Sequence, residues 1–178
     1  MSTAILLTGD PGSGKTTLIQ RVVARIDIPI GGFYTQEIRE GGVRQGFKII
    51  TFDEQEGILA HIKHPGPPRV GKYGVNLSAL ETVAVGSLLR TLQTPSLIVI
   101  DEIGPMEMFS RRFCQTVLDI LNMDRVILGS IVKRSKPFSD QIKARPDVKM
   151  IEVRPDNRDL LLEIVLDLLS TARLHKMT

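Results

Sequence analysis

The stretch GDPGSGKTT, from Gly9 to Thr17, restricts this chain more than any other feature. It satisfies the spacing G-x-x-x-x-G-K-[ST] in full. It sits between the apolar run TAILLTG and the segment TTLIQRVVARI, whose Leu18, Ile19, Val22, Val23 and Ile26 fall on one side of a helix. Strand, glycine-rich turn and helix in that order present inward-pointing backbone N–H groups and a positive helix end to an anion. Gly9, Gly12 and Gly14 permit positive φ and let the backbone come close to a ligand, while Pro11 fixes one φ. Lys15 is a point charge for β- and γ-phosphate oxygens, and Thr16 offers a hydroxyl to Mg²⁺. Thr17 either reaches the α-phosphate or only starts the helix. With Asp10 and Ser13 completing the loop, Gly9, Asp10, Pro11, Gly12, Ser13, Gly14, Lys15, Thr16 and Thr17 form the expected phosphate-binding segment.

A second segment answers the first. In LIVIDEIGPMEMF, the apolar residues Leu97, Ile98, Val99 and Ile100 run directly into Asp101 and Glu102. Burying an unpaired carboxylate is costly, so something nearby must want these charges. An acid closing an apolar strand is the Walker B pattern, and parallel strands deliver their C-terminal ends to one edge, where ligands bind. Asp101 is therefore expected to hold Mg²⁺ from a strand neighbouring the first one. The whole run Leu97–Ile100, Asp101, Glu102, Ile103 and Gly104 is expected to support nucleotide binding. Glu102 has two readings: a base that takes a proton from the water attacking the γ-phosphate, which is favoured, or a partner for a Lys or Arg that orients the loop. Glu107 reads either as support for this loop or as an exposed side chain. Met106 and Met108 read as packing residues.

The remaining pattern predicts an α/β fold. GFYTQEI, GFKIITF and GILAHI read as a β-hairpin or meander inserted after the first helix, at about residues 32–62, and HPGPPRVGKYG reads as a loop. Ser78 and Glu81 form an apparent capping box for a helix reaching about Gln93. Ser110 is expected to cap a helix to about Asn122. RVILGSI and KMIEV read as strands, with a short helix around Asp140 to Arg145 between them. Asp156 or Asn157 is expected to cap a final helix ending near Leu174. Alternation of strand and helix from residue 78 onward implies a mostly parallel sheet with helices on both faces, in a single domain spanning residues 1–178.

Composition sets outer bounds. The 178 residues are 42% hydrophobic and 24% charged, which suits a globular chain. No apolar run is long enough to cross a bilayer, and the N-terminus lacks a basic n-region, so neither a membrane span nor a signal peptide is expected. The single cysteine, Cys114, reads as a buried, inert thiol, and the expected setting is reducing and cytoplasmic. The net charge of +3 is mild. Between Lys133 and Lys149 lie six Lys or Arg against two Asp, either a solvated face or an anion-facing edge near a polyphosphate.

No N-K-x-D or L-S-G-G-Q occurs, which argues against a small GTPase and a transporter-type ATPase. Three functions are carried forward. The first is hydrolysis of a nucleoside triphosphate by a monomer, with Lys15 and Glu102 as the catalytic pair and Thr16 and Asp101 on Mg²⁺. The second is a P-loop kinase acting on a nucleotide, nucleoside or RNA end, with the basic segment as its lid. The third is a nucleotide-binding RNA-interaction or switch module.

The chain resembles the cancer-related nucleoside-triphosphatase family over nearly its full length. The resemblance rests on GDPGSGKTTL, GGFYTQEIR, Arg44 with Gly46-Phe47, RVGKYGV, VIDEIGPMEMFS, LGSI and Asn157-Arg158. It implies a RecA-like P-loop fold with a β-hairpin insertion, and slow Mg²⁺-dependent hydrolysis of nucleoside triphosphates to diphosphate and phosphate with loose base preference. One position departs: the family commonly carries Lys where this chain has Pro105. That either removes an electrostatic contribution or moves it to another cation, with Arg39, Arg44, Arg69, Lys133 and Arg134 as candidates, Arg44 and Arg69 slightly ahead among them, and an ordinary surface side chain as the leading reading for any single one. Tyr34 and Tyr73 are candidates for stacking on a base, or for packing within the hairpin.

Overall fold

A computed structural model describes residues 3–94 and 97–177. Five strands form a parallel core: β1 (Thr3–Thr8), β2 (Ile30–Glu40), β7 (Leu97–Ile103), β8 (Val126–Ile131) and β9 (Val148–Glu152). Four more extend the same sheet antiparallel: β3 (Val43–Thr51), β4 (Glu56–His61), β5 (Arg69–Val70) and β6 (Tyr73–Val75). The order is β5-β6-β4-β3-β2-β7-β8-β1-β9. The acid-bearing strand β7 is thus not the hydrogen-bonded neighbour of β1, as the sequence suggested. β8 stands between them, and it brings its own side chains to the rim.

Strand alternation splits the core in two. Ala4, Leu6, Ile98 and Ile100 face one side of the sheet, packed with Phe33, Leu88, Phe113 and Val117. Ile5, Leu7, Leu97 and Val99 face the other, packed with Leu18, Ile19 and Val22 of α1 (Lys15–Val23) and Leu162, Val165 and Leu169 of α6 (Arg158–Met177). Both faces of the parallel half are therefore covered, which is why LIVI reads as a continuous apolar run.

β2 links the two halves. Its first rungs, Ile30 to Phe33, pair with β7, and Phe33 to Glu40 pair with β3. The proline-rich stretch expected to be a loop instead contains the short β5–β6 hairpin. Tyr73 and Val75 are buried there, and Gly71 supplies a positive φ of 57° at the turn. Burial of alternate apolar residues overrides the local loop composition.

The helix after β6 starts two residues earlier than its apparent capping box. Asn76 caps it by accepting from Ala79 N–H at 3.0 Å. It runs as α2 (Leu77–Ala79), a π-helical turn (Leu80–Val85) and α3 (Gly86–Thr91). Glu81, expected to complete the box, accepts instead from Ser110 Oγ at 2.6 Å. Ser110 in turn caps α4 (Arg111–Asn122) by accepting from Phe113 N–H at 3.0 Å, as its position predicted. The short helix α5 spans Pro137–Lys143. At the start of α6 the Asn157 carboxamide accepts from Arg154 N–H at 2.8 Å and donates to the Glu152 carbonyl at 3.0 Å, pinning the β9–α6 connection.

Candidate active site

The P-loop follows β1 directly. Gly12 and Gly14 have φ of 79° and 98°, and Gly14 is the left-handed residue from which α1 departs. A side chain there would cost strain and would meet Arg158, whose guanidinium Nη1 would lie 3.0 Å from the added carbon. Lys15 folds over the mouth of the loop, its Nζ donating to the carbonyls of Gly9 at 3.0 Å and Asp10 at 3.2 Å. The hydroxyls of Thr8 and Ser13 bracket Gly9, are buried, and have no hydrogen-bond partner among the described residues. A polar ligand in this loop would satisfy such groups.

The two sequence-distant segments meet. Thr16 Oγ1 donates to Asp101 Oδ2 at 2.7 Å, joining the first turn of α1 to the end of β7. Asp101 is 1% exposed, and its other oxygen accepts from Ser130 Oγ of β8. Burial raises the Asp101 pKa, opposed by hydrogen bonds from Ser130 and Thr16 and by the charge of Lys15. The Asp101–Glu102 peptide is cis. Burial likewise raises the Glu102 pKa. The Asp101 charge adds to the rise and Lys15 opposes it, so all three groups lie within one electrostatic neighbourhood. Leu97, Ile98, Val99 and Ile100 are 0–2% exposed core residues, so their part is to carry the acids to the rim. Ile103 is also buried, and Gly104 lies against Glu102 and Glu107.

The candidate cations divide sharply. Arg39 donates to Glu37 and to the Gly42 carbonyl; Arg44 donates to Glu37 and Tyr73; Arg69 donates to the carbonyls of His64 and Lys72. All three are engaged within the meander, including the two favoured from sequence. Lys133, just past β8, instead reaches the P-loop, with Nζ 3.5 Å from Asp10 and 2.9 Å from Glu152. Tyr73 packs on Phe47 and Tyr34 on Phe52, so both tyrosines serve hairpin packing. Ser130 and Arg158 went unread as site residues. A lone hydroxyl within the apolar run RVILGSI was the available signal for Ser130. For Arg158 there was only its place in the Asn157-Arg158 pair.

Beside the loop lies a cavity of about 400 Å³, walled by Asp10 to Ser13 on one side and by Val153 to Asp156 of the β9–α6 connection on the other. It opens on the side of β1 away from β7, because β9 and β8 flank β1 on opposite sides.

A phosphate loop on the first of five parallel strands, an acid on a strand two places away and a polar residue on the strand between them define a P-loop NTPase fold. The family model described as NTPase matches residues 4–166, and the chain belongs to that family. The chain is 49% identical to the nucleoside-triphosphatase THEP1 of Thermotoga maritima, over 97% of this chain and 98% of that protein. It is 38% identical to the cancer-related nucleoside-triphosphatase of Homo sapiens, over 97% of this chain and all of that one. The crystal structure of THEP1 from the hyperthermophile Aquifex aeolicus superposes with a TM-score of 0.86 at 36% identity, covering 95% of this chain and 99% of that one. Among the described residues no helix is long and apolar enough to cross a membrane.

Proposed function

We propose that this chain hydrolyses nucleoside triphosphates to diphosphate and phosphate with the help of Mg²⁺. The observation that carries this reading is the 2.7 Å hydrogen bond from Thr16 to Asp101, which seats a pair of acids beside the phosphate loop. The names of the relatives favour hydrolysis over phosphoryl transfer to a second substrate and over an RNA-binding switch.

The residues present suit Mg²⁺. A hydroxyl and a carboxylate, both hard oxygen donors, converge at Thr16 and Asp101, and the buried Asp101 charge invites a cation. Among the described residues no three His, Cys, Asp or Glu side chains group as a metal cage, which suits an ion that takes much of its coordination from water and phosphate oxygens. When bound, the ion would neutralise charge on the β- and γ-phosphates. The chain's own residues do the rest. The loop amides of Gly12 to Thr16 hold the phosphates. Lys15 exchanges its two carbonyl partners for phosphate oxygens and offsets charge that grows at the transition state. Ser130 and Thr16 fix both oxygens of Asp101, so the carboxylate cannot rotate away. Glu102 accepts the proton of the attacking water at a carboxylate oxygen.

The cavity beside the loop gives the sugar and base a place to extend, away from the acids. No aromatic ring is among the residues that wall it, so stacking does not select a base, which supports a broad base preference. Phosphate release from ATP, GTP, CTP and UTP, with and without Mg²⁺, tests the reading. Turnover of all four within about tenfold of one another, lost in Lys15→Ala, is expected. Equal turnover by Lys15→Ala would refute it.

A further inference from the structure

Three carboxyl groups gather after β7, and the proposed chemistry uses only Asp101 and Glu102. The third, Glu107, is 4% exposed and opens a single 3₁₀ turn, Glu107–Phe109, behind the Gly104-Pro105 corner. The turn is held by its main chain, Met108 N–H donating to the Gly104 carbonyl at 3.1 Å and Ser110 N–H to the Glu107 carbonyl at 3.1 Å. A methyl group at Gly104 would lie 2.7 Å from Glu102 Oε1 and 2.9 Å from Glu107 Oε2. One oxygen of each carboxyl group therefore lies over the same bare α-carbon. Only a glycine leaves room for both.

A purely structural role would be filled more cheaply by Leu or Met, since no ion pair to Glu107 is found among the described residues and its charged neighbours, Glu102 and Asp101, are acids. We propose that Glu107 is a positioning residue, which fixes the Glu102 carboxyl toward the phosphate loop through a carboxyl–carboxyl contact across Gly104. The inference rests on the reading of Glu102 as base. With a buried group at its back, the Glu102 side chain is kept from turning over Gly104. Burial and then the Glu102 charge push the Glu107 pKa well above the usual carboxylate range, in keeping with a neutral acid beside Glu102.

The test is a double-mutant cycle read as kcat and KM. Glu107→Leu should lower kcat about 10-fold with KM nearly unchanged, because a misdirected base slows chemistry and not binding. Glu107→Gln keeps the size and polarity of a neutral acid behind Glu102, and should stay within about threefold of the parent. In a Glu102→Gln background, Glu107→Leu should cost nothing further, since a residue that acts through Glu102 has nothing left to act on. General damage to the fold would multiply with the first loss. An unchanged kcat for Glu107→Leu, the same 10-fold loss in both backgrounds, or a Glu107→Gln variant as slow as Glu107→Leu each overturns the proposal. The Glu102→Gln single variant separates the two claims. Full turnover there removes the base and its positioning partner together, whereas slow turnover with additive losses removes Glu107 alone. Should Glu107→Leu not fold, Glu107→Ala, which cannot overfill the site, completes the same cycle.

Discussion

In the antiparallel half of the sheet, charge is settled locally. Glu37 takes Arg44 and Arg39, Lys48 takes Glu56, and Arg90 takes Asp53, all at least partly exposed. In the parallel half, three acids lie within a few residues at the end of β7, two of them buried, and among the described residues the cation that acts on Asp101 and Glu102 is Lys15 of the P-loop. Exposed pairs of the first kind contribute little to stability. Buried acids without a counter-charge are tolerated where an incoming cation and a polyphosphate complete the balance. The difference supports placing the proposed chemistry at the end of β7, where buried acids outnumber the cations near them.

The contrast can be broken from the catalytic side first. Asp101→Asn should lower Mg²⁺-dependent turnover by about 100-fold or more, because the ion loses its only carboxylate among the residues proposed to hold it. Steady-state phosphate release checks it, and turnover near the parent's would mean the metal is held elsewhere. Ser130→Ala frees one oxygen of Asp101 and should raise the Mg²⁺ concentration for half-maximal rate about 10-fold, read from a metal titration.

The meander should respond weakly. Arg44→Met removes the pair with Glu37 and the contact with Tyr73, and should cost at most about 1 kcal/mol in a denaturant melt with kcat unchanged. A large fall in kcat would return Arg44 to the site. The smallest effect belongs to Asp53, which ties the β3–β4 turn to α3. The Arg90 hydrogen bond holds its pKa down to about 2, against 3.8 unperturbed. Because the folded pKa is the lower one, this contribution is present above pH 3.8 and fades as pH falls through about 2. Asp53→Asn should therefore lower the melting temperature slightly at neutral pH, and the difference should shrink in acid.

The parts legible in the sequence were those fixed by local backbone demands. The strand–loop–helix unit could be read because its glycines stand at a fixed spacing between two apolar runs, and the strand that carries Asp101 because four apolar residues lead into the acid. The Ser110 cap and the apolar core strands were likewise local. Strand order was not, because parallel pairing joins residues a hundred apart: β8 entered between β1 and β7 with no mark in either segment. Asn76 outcompeted Ser78 as a cap because Glu81, the other half of the box, is drawn to Ser110 on α4. Burial of Glu107 and the diversion of Arg44 and Arg69 into the meander depend on neighbours that only the folded chain supplies.

The most direct test of the central claim, that the water-activating carboxylate stands beside a P-loop-held triphosphate, pairs two numbers for Glu102→Gln: the rate of phosphate release and the dissociation constant for nucleotide. The substitution keeps size and hydrogen bonding but removes the basic oxygen. Turnover should fall by about 100-fold while the dissociation constant moves less than about threefold. A variant that turns over at the parent rate, or one that loses nucleotide affinity in step with turnover, would contradict the account.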